Sequence, residues 1–120
     1  MKRIIITDDE PVILRMTEFI LKKAGYETVK TSSGMECIKA ATEQKPDLIL
    51  LDLLMPEMDG FQVIEKLREL DDVGNIPIIL LTAAEDSETL DKAAAMGVSG
   101  CVGKPFKQDE LLGKIQLVLG

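Results

Sequence analysis

Three short runs of unbroken aliphatic residues constrain this chain most: Ile-Ile-Ile at 4–6, Leu-Ile-Leu-Leu at 48–51 and Ile-Ile-Leu-Leu at 78–81. A strand with one wet face alternates apolar and polar residues, so a run without alternation predicts a strand covered on both faces, as in a parallel sheet flanked by helices. Thr28-Val29-Lys30 and Gly100-Cys101-Val102 are weaker strand candidates. Helical patterns lie between them. Val12, Ile13, Met16, Phe19 and Ile20 fall at three-to-four spacing after Pro11, which suits a first helical turn, and Gly25 stops that helix. Ser33-Gly34-Met35-Glu36 and Asp59-Gly60-Phe61-Gln62 have capping-box spacing ahead of two more helices. A fourth is predicted from Asp86 or Ser87 through Leu90, Ala93 and Ala94 to Gly97, and a fifth over Leu111, Leu112, Ile115 and Val118. Five strands alternating with five helices predict a doubly wound α/β fold with right-handed crossovers. Ligands are then expected beyond the carboxyl ends of the strands.

The 120 residues suit one domain spanning 1–120, with nothing left over for an effector domain. A formal charge of −7 disfavours non-specific attraction to nucleic acid or anionic lipid, so neither is expected as a direct partner. The chain has no histidine, which excludes His-based triads, His metal ligands and a phosphohistidine on this chain. Its apolar amino-terminal run is too short for a signal peptide or a membrane span, and a soluble cytoplasmic protein is expected. Cys37 and Cys101 stand apart, without a CxxC pair, and are expected as buried free thiols.

The charged residues that matter sit where the predicted strands end. Asp8, Asp9 and Glu10 follow the first strand and Asp52 ends the third, so parallel pairing gathers carboxylates at one sheet edge. Like charges that close repel, and an all-oxygen cluster without His or Cys suits a hard divalent ion such as Mg²⁺. Taken alone, Asp8-Asp9-Glu10 would be an acidic helix start favoured by the macrodipole. Asp52 is different, because it interrupts a run that should be buried. Thr82 ends the fourth strand, and Lys104 ends the fifth just before Pro105, a candidate cis bond. A hydroxyl and an ammonium beside a metal-binding carboxylate are what a transferred phosphoryl group needs.

Asp8-Asp9, Asp52 followed by Leu-Leu-Met-Pro-Glu-Met-Asp-Gly, Thr82-Ala83 and Lys104-Pro105-Phe106 together resemble the receiver domain of two-component response regulators, the CheY-like family. The resemblance covers essentially the whole chain. It implies a flavodoxin-like (βα)5 fold with strand order 2-1-3-4-5, and a phosphoryl group accepted on Asp52 from a sensor histidine kinase or histidine phosphotransfer protein. By matched position it implies that Asp9, Asp52 and the backbone carbonyl of Leu54 bind Mg²⁺, with Asp8 acting through water. Thr82 would hydrogen-bond a phosphoryl oxygen, and Lys104 would pair with its charge. The domain would thus catalyse its own aspartyl phosphorylation without being a conventional enzyme. It would pass the signal to a downstream protein through the face of helix 4, strand 5 and helix 5.

The chain departs from the family pattern in two respects, at three positions. Cys101 stands three before the lysine, where the switch usually carries an aromatic, so Thr82 is expected to move without a buried-or-exposed aromatic at that site. Leu54 and Ala84 stand where fast-dephosphorylating relatives place polar side chains, and slow self-dephosphorylation is expected. A nucleotide or flavin binder on the same architecture would need glycines where Asp8-Asp9-Glu10 stand. An aspartate-nucleophile phosphatase would need a second aspartate at Leu54 and a cap domain. The remaining alternatives are the receiver fragment of a longer DNA-binding regulator, a phosphorelay intermediate, and an interaction module that is never phosphorylated.

Overall fold

The computed structural model describes residues 1–83 and 86–120. In chain order they form β1 (Arg3–Thr7), α1 (Pro11–Lys23), β2 (Glu27–Thr31), α2 (Gly34–Gln44), β3 (Leu48–Asp52), α3 (Gly60–Arg68), β4 (Ile78–Thr82), α4 (Ser87–Ala95), β5 (Gly100–Gly103) and α5 (Gln108–Leu119). The strands pair in the order β2-β1-β3-β4-β5, every pairing parallel, as expected from the sequence.

The unbroken apolar runs follow from two cores, one on each face of the sheet. Successive strand residues point to opposite faces. Ile5, Ile49, Leu51, Ile78 and Leu80 pack with Cys37 and Ala41 of α2, Val63, Ile64 and Leu67 of α3, and Ala93 of α4. Their neighbours Ile4, Ile6, Leu48, Leu50, Ile79 and Leu81 pack with Leu14, Ile20 and Leu21 of α1 and Leu111 and Ile115 of α5. The strand residues of both sets are fully buried.

Helix ends follow their local chemistry. Pro11 occupies the first turn of α1, and Gly25, at φ +96°, lets the chain leave it while the Tyr26 N–H donates to the Leu21 carbonyl. At α3 the capping box is complete, since Asp59 accepts from the Gln62 N–H and Gln62 accepts from the Asp59 N–H, both at 2.9 Å. At α2 only half of it forms. Ser33 accepts from the Glu36 N–H, but the Glu36 carboxylate takes its bonds from the N–H and hydroxyl of Ser32, one residue earlier. Lys45, which ends α2 at φ +43°, is an exposed side chain held in the left-handed region just before Pro46. Lys45→Gly removes the clash between Cβ and backbone while giving up some unfolded-state entropy. It is expected to stabilise the protein by about 0.5 kcal/mol, read as a higher urea midpoint at unchanged slope.

Candidate functional site

Strand register brings the singled-out residues to one edge. Thr7 pairs with Leu51, Asp52 with Leu81 and Thr82 with Gly103, so Asp8, Asp52, Thr82 and Lys104 all lie at the carboxyl ends of four adjacent strands. Lys104 joins the edge together. Its ammonium donates to Asp8 Oδ2 at 2.6 Å and lies 3.2 Å from Asp52 Oδ1, while its backbone N–H donates to the Thr82 carbonyl at 2.9 Å. The following Lys104–Pro105 peptide bond is cis. Asp8 has no solvent exposure, Asp52 is 5% exposed and Thr82 1%.

Each carboxylate is held by backbone as well as by the lysine. Asp8 Oδ1 accepts from the Glu10 N–H at 2.9 Å, and the Asp8 N–H donates to the Thr31 carbonyl at 3.2 Å. Asp52 Oδ1 accepts from the Leu54 N–H at 3.4 Å, a long bond that leaves the carboxylate poorly satisfied. Burial, and then the charge of Asp8, push the Asp52 carboxyl up to about 6, against the opposing pull of Lys104 and the Leu54 N–H. Burial works against the Lys104 ammonium too, but its bond to Asp8 and the charges of both aspartates outweigh that and hold it above the ordinary lysine value. Two buried carboxylates thus share a single ammonium, and the pocket carries excess negative charge.

That excess is what a hard cation would relieve. Among the described residues, Asp8, Asp9 and Glu10 each present a carboxylate oxygen within 4.8 Å of the others, with Asp9 and Glu10 exposed and Asp8 buried. Oxygen donors of this kind, open to solvent on one side, fit an ion that keeps part of its water shell. Asp52 stands outside that close group and joins it through Lys104. Leu54 is 62% exposed beside the pocket, so its side chain packs against little. Ala84, expected from the sequence to influence the lifetime of a phosphoryl group, lies outside the described residues. Cys101 on β5 is half-buried against the α2–α4 core, and burial raises its thiol. Both cysteines are unbridged, with Cys37 fully buried and its thiol pushed up to about 11 by that burial.

Sequence reasoning missed Thr7 and Thr31. Their hydroxyls meet at 2.8 Å beneath the Asp8 loop, at the paired ends of β1 and β2. A threonine closing each of two strands, the first directly before Asp8, was the signal that could have pointed to them.

Sheet order, helix placement and the acidic strand-end pocket define the CheY-like class of doubly wound domain. A family model described as the response regulator receiver domain matches residues 4–116, and the chain belongs to this family of two-component receivers. Among curated relatives, it is 32% identical over 98% of its length to the alkaline phosphatase synthesis transcriptional regulatory protein PhoP of Bacillus subtilis, matching 48% of that protein. It is 36% identical over 96% of its length to the DNA-binding response regulator MtrA of Mycolicibacterium smegmatis, matching 49% of it. The chain thus spans about half the length of the curated relatives it matches first. A different proportion holds for sporulation initiation phosphotransferase F of Bacillus subtilis, 29% identical over 98% of this chain and 94% of that one. Among solved structures, the chemotaxis protein CheY4 of Vibrio cholerae superposes with a TM-score of 0.95 at 32% identity, over 99% of both chains. The receiver domain of sensor histidine kinase PA1611 from Pseudomonas aeruginosa PAO1, solved with a magnesium ion coordinated in its active-site cleft, superposes with a TM-score of 0.91 at 28% identity, over 99% of this chain and 98% of that one.

Proposed function

We propose that Asp52 is the phosphoacceptor of this receiver, and that residues 1–120 act as one receiver unit in the cytoplasm. The observation that carries the reading is the convergence of Lys104 on Asp8 at 2.6 Å and Asp52 at 3.2 Å, at the carboxyl ends of the strands. A carboxylate nucleophile needs little covalent help in phosphoryl transfer; it needs position and compensating charge. The donor is a phosphohistidine on a sensor histidine kinase or histidine phosphotransfer protein, since this chain has no histidine. A P–O bond forms to the Asp52 carboxylate as the P–N bond to the partner's histidine breaks. Lys104 faces the phosphoryl charge, and the Thr82 hydroxyl donates to a phosphoryl oxygen. Asp9, Asp52, the Leu54 backbone carbonyl and, through water, Asp8 would hold Mg²⁺, whose charge would offset that of the phosphoryl oxygens. The new charge, roughly −1.5 to −2, draws Thr82 inward and alters the face of α4, β5 and α5 for a downstream protein, with Cys101 in place of an aromatic.

A second reading makes the chain the receiver portion of a longer DNA-binding regulator. It is favoured by relatives about twice as long, one described as a transcriptional regulatory protein and the other as a DNA-binding response regulator. The similar length of sporulation initiation phosphotransferase F favours a relay intermediate instead. All three readings share the same chemistry at Asp52. Incubation with acetyl phosphate and Mg²⁺ is expected to label the protein once, with label reduced to background in Asp52→Ala and in EDTA. Label that survives Asp52→Ala overturns the assignment.

A further inference from the structure

The hydroxyl pair beneath the acidic loop has a geometry that ordinary strand packing does not require. Thr7 ends β1 with no solvent exposure, and Thr31 ends β2 at 5% exposure. The Thr31 hydroxyl donates to the Ile6 carbonyl at 3.3 Å. Across the 2.8 Å contact with Thr7 either hydroxyl can be the donor, so the two side chains stay joined in both orientations. The Thr31 carbonyl meanwhile accepts the Asp8 N–H at 3.2 Å. Thr31 therefore holds β1 on both sides of Thr7, at Ile6 through its hydroxyl and at Asp8 through its main-chain carbonyl. Since β2 is the outer strand next to β1, that grip is what continues the ladder one residue past the end of β1. Beyond Asp8 the chain turns into α1, and the direction of the Asp8 carboxylate depends on how its backbone is anchored.

We propose that Thr31, acting with Thr7, is a positioning residue for the acidic pocket: it fixes the Asp8 main chain and through it the carboxylate that faces Lys104. Neither threonine touches a phosphoryl group or a cation. The consequence for cation affinity rests on the function proposed above, whereas the anchoring of Asp8 does not. Groups that orient a metal ligand from behind commonly change affinity by roughly 10- to 100-fold when lost. An effect near the lower figure is expected here, because Thr31 acts through backbone.

Thr31→Val keeps the shape and removes the hydroxyl, leaving the buried Thr7 hydroxyl with only the weak thiol of Cys37 as a side-chain partner. Hydrogen exchange of the Asp8 amide in the metal-free protein is expected to speed up about tenfold relative to core amides such as that of Leu50, and Mg²⁺ affinity measured by calorimetry to weaken about tenfold. Thr31→Ser, which restores the hydroxyl, is expected to return both to within about twofold of the parent. Should Thr31→Val fold poorly, Thr7→Val combined with Thr31→Val removes both polar groups and leaves no orphan, so stability is regained while the grip on Ile6 stays lost. That double variant is expected to keep the fast Asp8 exchange. Parent-like Asp8 exchange in Thr31→Val, or in the double variant, overturns the proposal. If the parent itself fails to bind Mg²⁺, the cation site proposed above falls, and the exchange of Asp8 still decides the role of Thr31.

Discussion

Lys104→Met is expected to destabilise the protein by about 2–3 kcal/mol at about pH 8 in EDTA, measured by urea unfolding. The methionine keeps the length and apolar body of the side chain but leaves Asp8 and Asp52 facing each other without the ammonium between them. Breaking a fully buried pair costs roughly 3–5 kcal/mol, and the figure is lowered here because Lys104 stands at the solvent edge of the pocket. The loss should shrink as pH falls. Without the lysine the Asp52 carboxyl holds its proton at still higher pH than in the parent, so below about pH 5 it is neutral and the repulsion disappears. What remains is the lost charge-assisted bond to Asp8, about 1.5 kcal/mol. A destabilisation of equal size at both pH values would show that Lys104 acts by packing alone. Adding Asp52→Asn to Lys104→Met should recover much of the loss at about pH 8, because the two sites share a partner and their effects are not additive.

Asp52→Asn alone is expected to stabilise the metal-free protein by about 1–2 kcal/mol at about pH 8. The carboxyl rises from 3.8 to about 6 on folding, chiefly through burial. A group whose folded value is raised favours the native state fully below its unfolded value and loses that advantage as pH climbs through the folded one. The ionised Asp52 therefore costs stability above about pH 6, and the amide removes that cost. Taken whole, the shift would amount to about 3 kcal/mol; the smaller figure allows for solvent at the pocket mouth and for the attraction to Lys104 that the variant loses. The gain should fade between about pH 6 and 4 and be absent at pH 4. A variant no more stable than the parent at pH 8 would mean that Asp52 sits comfortably as an anion. Such a group would make a poor match for the pocket proposed above, in which unrelieved negative charge is the reason to take up a cation.

Much of this is legible in the sequence, for identifiable reasons. The runs at 4–6, 48–51 and 78–81 announced two-sided burial because no polar residue interrupts them, and each face does receive its own helices. Asp52 was legible because it ends such a run, and Lys104 because its strand, though weak in pattern, stops at a proline. The pairing of Lys104 with Asp8, 96 residues apart, was not, since it depends on register across four strands rather than on any local spacing. Thr31 escaped for a related reason. It lies on an edge strand whose polar alternation is ordinary, and only the parallel pairing with Thr7 gives its hydroxyl a partner. At α2 the spacing of Ser33 and Glu36 was right, but spacing does not choose between neighbouring serines, and the carboxylate went to Ser32.

The division of the strand side chains between two separate cores bears on how such a chain can diversify. The sheet works as a bulkhead: α1 and α5 lean on one side of it, and α2, α3 and α4 on the other, while the acidic pocket is set in its rim. Helices on one side can trade side chains, and with them whichever proteins they greet, without disturbing the packing on the other. Variation in what the domain recognises is thereby insulated from the chemistry held at the rim.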